Sequence, residues 1–215
     1  MALKILLVDD HKIVRDGLRN LLEKHPDIVV AGEAEDGREA LQLARKLSPD
    51  VVIMDIAMPD LNGMEATRQI LSELHNVKVI ALSMHSDKRF VSEMLKAGAS
   101  AYLLKDCAFE ELITAIRTIM KGKTYLSPGI ADVVIEDYIR KGSKEDSSVF
   151  SILSDREREV LQLMVEGKST KEIAANLNVS AKTIETHRTN LMTKLDIHTI
   201  AELTKYAIRE GLTSL

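Results

Sequence analysis

A carboxylate pair at Asp9-Asp10, a third carboxylate at Asp55, a hydroxyl at Ser83 and an ammonium at Lys105 are the side chains of this sequence whose types suit phosphoryl chemistry. Each follows a short apolar run: Lys4–Val8, Val51–Met54, Val79–Leu82 and Ala101–Leu104. A carboxylate is a poor nucleophile towards phosphorus until the charge of the incoming group is neutralised. Asp9 and Asp10 offer oxygen ligands of the kind Mg²⁺ accepts while it keeps several waters. With a cation on one side and Lys105 on the other, a transferring phosphoryl group is stabilised while Asp55 attacks phosphorus. Ser83 can offer its hydroxyl to a phosphoryl oxygen. Taken singly, each residue has an ordinary reading as turn former, cap or solvated strand-end charge. The ordered set is what carries the chemistry.

The set works only if the strand ends meet. Five apolar strand candidates, near 3–8, 27–33, 50–54, 77–82 and 100–104, alternate with helical patterns near 11–24, 37–47, 63–74, 87–97 and 108–121. That alternation predicts an α/β doubly wound, five-stranded parallel sheet with helices on both faces. Open sheets of this kind bind ligands outside the carboxyl ends of their strands. Asp36-Gly37 and Ser86-Asp87 supply helix starts, and Gly98 suits a left-handed cap. His11 reads as a helix-start residue and His25, His75 and His85 as surface positions; no spacing suggests a zinc site. Asp106, after Lys105, reads as the cap of the fifth helix.

Composition narrows the class. The chain has 215 residues, 45% of them hydrophobic, which suits two modest globular domains. Cys107 is the single cysteine, so no internal disulfide can form. The opening apolar run is too short for a signal peptide and no run approaches membrane-span length, so a cytoplasmic protein without a membrane partner is expected. Net charge is −4, but from Ser148 onward there are nine Lys/Arg and nine Asp/Glu, so the acidic excess lies upstream. A neutral C-terminal region permits DNA binding without announcing it.

The first half resembles the receiver domain of two-component response regulators. The likeness rests on Asp9-Asp10, the run Met54-Asp55-Ile56-Ala57-Met58-Pro59 with Gly63, Ser83, and Tyr102-Leu103-Leu104-Lys105. It covers roughly residues 2–121 and implies that Asp55 accepts a phosphoryl group from the phosphohistidine of a sensor histidine kinase. It also implies that Asp10, Asp55 and the backbone carbonyl of Ala57 coordinate Mg²⁺, with Asp9 acting nearby or through water. The family's switch would move the Ser83 hydroxyl onto the phosphoryl group and turn Tyr102 inward. One departure is Asp106, where many receivers carry proline.

Residues 127–141 begin with Ser-Pro-Gly and keep helical spacing, which predicts a linker helix; Gly142 to Ser148 is small, polar and aperiodic and reads as a hinge. From Ser154 the pattern is wholly helical, near 155–166, 170–177, 181–195 and 199–210. Ser154 with Glu157, and Ser169 with Glu172, have capping-box spacing. The turn Leu177-Asn178-Val179-Ser180 gives helix-turn-helix spacing. In the third segment Ile184, Leu191 and Leu195 should face a core, leaving Lys182, Glu185, Thr186, Thr189 and Thr193 outward. Short polar groups there can read base edges, and Lys182, Arg188 and Lys194 can reach phosphates. On composition alone a solvated face, with Glu185 and Arg188 as a helical ion pair, is the simpler reading.

The runs Leu153–Leu161, Gly167–Ala174 and Val179–His187 are similar to the LuxR-type helix-turn-helix domain over about 151–212. The resemblance implies that the third segment is the recognition helix, with Lys182, Thr183, Glu185, Thr186, Arg188, Thr189 and Lys194 at the DNA, and that the last segment supplies a dimer surface. The expected layout is a receiver at 1–121, a linker at 122–150 and a DNA-binding domain at 151–215. This resembles the NarL/FixJ class of transcriptional regulators, and implies a homodimer when phosphorylated, with double-stranded DNA and RNA polymerase as partners. Such a protein is not an enzyme beyond Mg²⁺-dependent self-phosphorylation and slow self-dephosphorylation at Asp55. The rival is an aspartyl phosphohydrolase, against which stand Ala57, where a general acid would be wanted, and the lack of an obvious substrate pocket.

Overall fold

The apolar runs form strands because β-branched and leucine side chains can be covered on both faces only in the middle of a layered fold. In a computed structural model, which describes residues 2–107, 109–140 and 152–213, β1 (Leu3–Val8), β2 (Ile28–Ala34), β3 (Val51–Asp55), β4 (Lys78–Ser83) and β5 (Ala101–Leu104) pair in parallel. A two-residue β6 (Tyr125–Leu126) adds to β5, so the sheet has six strands in the order β2-β1-β3-β4-β5-β6 rather than the expected five. The sequence offers no apolar run at β6. It pairs because Ser127 N–H and Tyr125 N–H find the carbonyls of Tyr102 and Ser100.

Helices α1 (Lys12–Leu22), α2 (Gly37–Leu47), α3 (Gly63–Glu73), α4 (Lys88–Lys96) and α5 (Phe109–Ile119) connect the strands. Alternate strand residues Ile5, Leu7, Ile53, Ile80, Leu82 and Leu103 form one cluster with Leu22 of α1 and Leu112, Ala115, Ile116 and Ile119 of α5. The other set, Leu6, Val8, Val52, Met54, Ala81 and Tyr102, is equally buried. Asp36, Asn62 and Asp87 cap α2, α3 and α4 with their side chains. Asp106 does not cap α5: it lies in a turn, and the helix begins three residues later at Phe109.

The expected linker helix is present as α6 (Pro128–Arg140), but it belongs to the first compact unit, Met1–Gly142. Ile130 is fully buried and α6 packs on α4, so residues 122–140 are not a bare connector. The hinge expected at 142–148 lies outside the described residues.

The second unit, Ser143–Leu215, contains α7 (Asp155–Val165), α8 (Thr170–Asn176), α9 (Ala181–Leu195) and α10 (Ile200–Arg209). Both capping boxes form, Ser154 with Glu157 and Ser169 with Glu172. Glu166 ends α7 as its C-cap. Val160, Leu161, Ile173, Ile184, Leu191, Leu203 and Ala207 make the core of this unit. Among the described residues no helix is long and apolar enough to cross a membrane.

Candidate phosphoacceptor edge and DNA-reading helix

Parallel pairing of β1, β3, β4 and β5 brings the polar strand-end residues to one edge. Lys105 Nζ lies 2.7 Å from Asp9 Oδ2 and 2.8 Å from Asp55 Oδ2, so one ammonium is shared by two carboxylates. Asp55 Oδ1 accepts the Ile56 amide at 2.7 Å, which fixes the carboxylate plane. Asp9, Asp55 and Ser83 are buried, whereas Asp10 is open to solvent. Burial raises the Asp55 carboxyl above its ordinary range, against the opposing pull of Lys105. Burial also works to lower Lys105, but its hydrogen bonds to Asp55 and Asp9 prevail and raise it. Burial thus works against charge on both groups, and the hydrogen bond between them works for it.

The backbone after Asp55 has little room to move. Gly63 N–H donates to the Ile56 carbonyl, and a Cβ on Gly63 would sit 1.9 Å from the Asp55 carbonyl oxygen. Glycine is required there by close approach, and the approach pins the start of α3 under the Asp55 loop.

Ser83 Oγ accepts the His85 amide at 3.0 Å, and the Tyr102 hydroxyl donates to the His85 carbonyl at 2.7 Å. Tyr102 is fully buried, and burial pushes its phenol up to about 12. The sequence reading has Tyr102 turning inward on phosphorylation; here the ring already lies inward, because the His85 carbonyl satisfies its hydroxyl. His85 is not a plain surface residue: its ring stacks on Phe90 of α4 with centroids 4.4 Å apart.

Two neighbours of the site escaped sequence reasoning. His11, the N-cap of α1, makes no capping bond; its Nδ1 lies 2.8 Å from Asp10 Oδ1 and 3.3 Å from Asp9 Oδ1. Arg15 is buried and donates through Nη1 to the Asp9 carbonyl at 2.6 Å, while Glu33 and Glu35 hold its other nitrogens. An arginine four residues after His11 carries no motif, so only the packing of α1 on β1 and β2 exposes its role. The carboxylates of Asp9, Asp10 and Asp55 and a His11 nitrogen all lie within 4.8 Å of one another. Three converging carboxylates are the hard-oxygen donor set that suits Mg²⁺. Beside the edge, an apolar cleft of about 420 Å³ is lined by Ile13, Leu18, Met84, Cys107 and Phe109 and reaches Lys105. Its lining residues include no carboxylate and no histidine.

On α9, Lys182, Glu185, Thr186 and Thr189 are exposed, opposite the buried Ile184 and Leu191. Thr186 and Thr189 donate to the carbonyls of Lys182 and Glu185 one turn earlier. Thr183 closes the helix start with Ser180 at 2.8 Å. Arg188 Nη1 donates to Thr170 Oγ1 at 2.8 Å, and that hydroxyl donates to Glu185 Oε1 at 2.9 Å. Lys194 was expected at phosphate, yet its Nζ lies 2.7 Å from Oε2 of the buried Glu157 on α7. A buried carboxylate recruits a nearby cation, and this contact ties α9 to α7 within its own unit.

Comparison with known proteins fits this geometry. The response regulator receiver domain model matches residues 5–117, and the model of bacterial regulatory proteins of the luxR family matches residues 151–207. The chain is 42% identical over 212 residues to the transcriptional regulatory protein LiaR of Bacillus subtilis, covering 99% of this chain and 100% of that one. It is 40% identical to the transcriptional regulatory protein MctR of Rhizobium johnstonii, covering 99% and 96%. Among solved structures, the RcsB–DNA complex is similar with a TM-score of 0.60 at 28% identity, covering 96% of this chain and 98% of that one. The chain belongs to the two-component response regulators of the NarL/FixJ class, a receiver joined to a LuxR-type DNA-binding domain. It is a regulator of transcription.

Proposed function

We propose that Asp55 is the phosphoacceptor of a cytoplasmic regulator and that phosphorylation controls dimerisation and DNA binding through α9. The observation that carries this reading is the Lys105 ammonium bridging Asp9 and Asp55 at the carboxyl edge of the sheet. An Asp55 oxygen attacks the phosphorus of a kinase phosphohistidine, the new O–P bond forms as the P–N bond breaks, and the imidazole leaves. Lys105 already sits on the nucleophile, so it can follow negative charge onto a phosphoryl oxygen without crossing the site. Asp10, Asp55 and the Ala57 carbonyl would hold Mg²⁺, with Asp9 beside them. When bound, the cation supplies charge neutralisation at the phosphoryl oxygens. Ser83 can exchange its contact with the His85 N–H for a phosphoryl oxygen, and Tyr102 is already placed against the carbonyl of the same residue. This links a local charge event to α4, on which α6 packs.

At the other end, Lys182 reaches phosphate while Thr186 and Thr189 face base edges. RNA polymerase is the partner through which bound DNA would change transcription. Acetyl phosphate with Mg²⁺ should label the wild-type protein and leave Asp55→Asn unlabelled. Equal labelling of the two would refute the assignment of the acceptor. Steady turnover of small phosphate esters would instead favour the hydrolase.

A further inference from the structure

Glu185 is an awkward residue for a helix that approaches phosphates, because an unpaired carboxylate there is repelled. Its surroundings resolve the difficulty. Oε1 accepts the Thr170 hydroxyl at 2.9 Å and lies 3.6 Å from Arg188 Nη1, and Arg188 in turn donates to Thr170 Oγ1 at 2.8 Å. One hydroxyl therefore accepts from the guanidinium and donates to the carboxylate, which fixes the direction of its hydrogen. Two helices are tied across the turn by this triangle, α8 through Thr170 and α9 through the other two residues. Oε2 makes no hydrogen bond or ion pair with any described residue, and the side chain is 59% exposed.

We infer that Glu185 selects cytosine in each half-site, and that Thr170 is a positioning residue which, with Arg188, holds that carboxylate for the base. This rests on the reading of α9 as the DNA-facing helix and deepens it. A carboxylate can only accept. Guanine shows two acceptors in the major groove and thymine one, so both repel it. Adenine offers its N6 amine, but the adjacent N7 acceptor opposes a second carboxylate oxygen. Cytosine offers the N4 amine with no acceptor beside it on its major-groove edge, so it alone pairs without a penalty. Arg188 partly neutralises the carboxylate, which lowers the repulsion from nearby phosphates. In this arrangement Arg188 acts through Glu185 rather than as a phosphate contact.

The test is selection of bound duplexes from a randomised pool by the full-length protein treated with acetyl phosphate and Mg²⁺. Wild type should enrich a motif with one C·G pair per half-site that Glu185→Ala loses by about tenfold while the other positions keep their preferences. Glu185→Gln should move that position towards adenine, which a carboxamide pairs bidentately. Thr170→Val should weaken the same position only, and Thr170→Ser should restore it. An unchanged motif in Glu185→Ala, or equal loss at every position, overturns this inference and leaves the DNA-facing reading of α9 standing. If wild type enriches no sequence, that reading falls together with it.

Discussion

Gly63 shows how a residue without a side chain can decide the chemistry of its neighbour. Substitution by alanine would drive a Cβ to 1.9 Å from the Asp55 carbonyl, so either the Asp55 loop or α3 must move. Gly63→Ala is expected to lower stability by about 2 kcal/mol or more and to slow labelling by acetyl phosphate, both read against wild type by urea unfolding and phosphoprotein mass. Unchanged stability and labelling rate would show that the close approach relaxes at no cost. Of the residues at this edge, Asp9, Asp10, Asp55, Ser83 and Lys105 were legible because each terminates an apolar run. Arg15 and His11 were not: their roles come from packing against the Asp9 carbonyl and the carboxylate pair.

At the scale of elements, α9 is set by two ties to its own unit, Lys194 to Glu157 on α7 and Arg188 to Thr170 on α8. Burial alone would raise Glu157, but Lys194 and the Ser154 cap outweigh it and hold the carboxyl below its ordinary range. A depressed folded-state value means that the group's contribution is present above about pH 4.5 and is lost as pH falls through the folded value. Unfolding of the protein followed downward through this range should show that loss, and Glu157→Gln should flatten it. Lys194→Ala leaves a buried acceptor short of a partner and should cost about 1–2 kcal/mol at neutral pH. Lys182 has no such tie among the described residues. Lys182→Ala should weaken DNA binding and reduce the salt slope by about one counterion, and an unchanged slope would remove it from the phosphate contacts. Sequence spacing found α7, α8, α9 and α10, because capping residues and apolar periodicity are local. It placed Lys194 on the DNA-facing side but gave no sign of the buried Glu157 that its ammonium meets, because periodicity gives a face and not the partner on another helix.

For the whole molecule, phosphorylation is expected to change what is bound, not what is catalysed. Footprints taken with and without a phosphoryl donor should differ in occupancy, and in the occupied state should show two half-sites about 34 Å apart, one helical turn, as a symmetric dimer requires. Identical footprints under both conditions would separate DNA binding from the acidic edge. The sequence by itself determined the order of strands and helices, the change from α/β to all-helical pattern near Ser154, and the set of strand-end residues, since these depend on periodicity, caps and residue type within a few turns of chain. Only the tertiary structure decided the sixth strand, the inclusion of α6 in the first unit, the sharing of Lys105 between two carboxylates and the triangle of Thr170, Glu185 and Arg188. Those depend on which distant groups remain unsatisfied once the layers are packed, and a buried polar atom takes whatever partner the fold brings within reach.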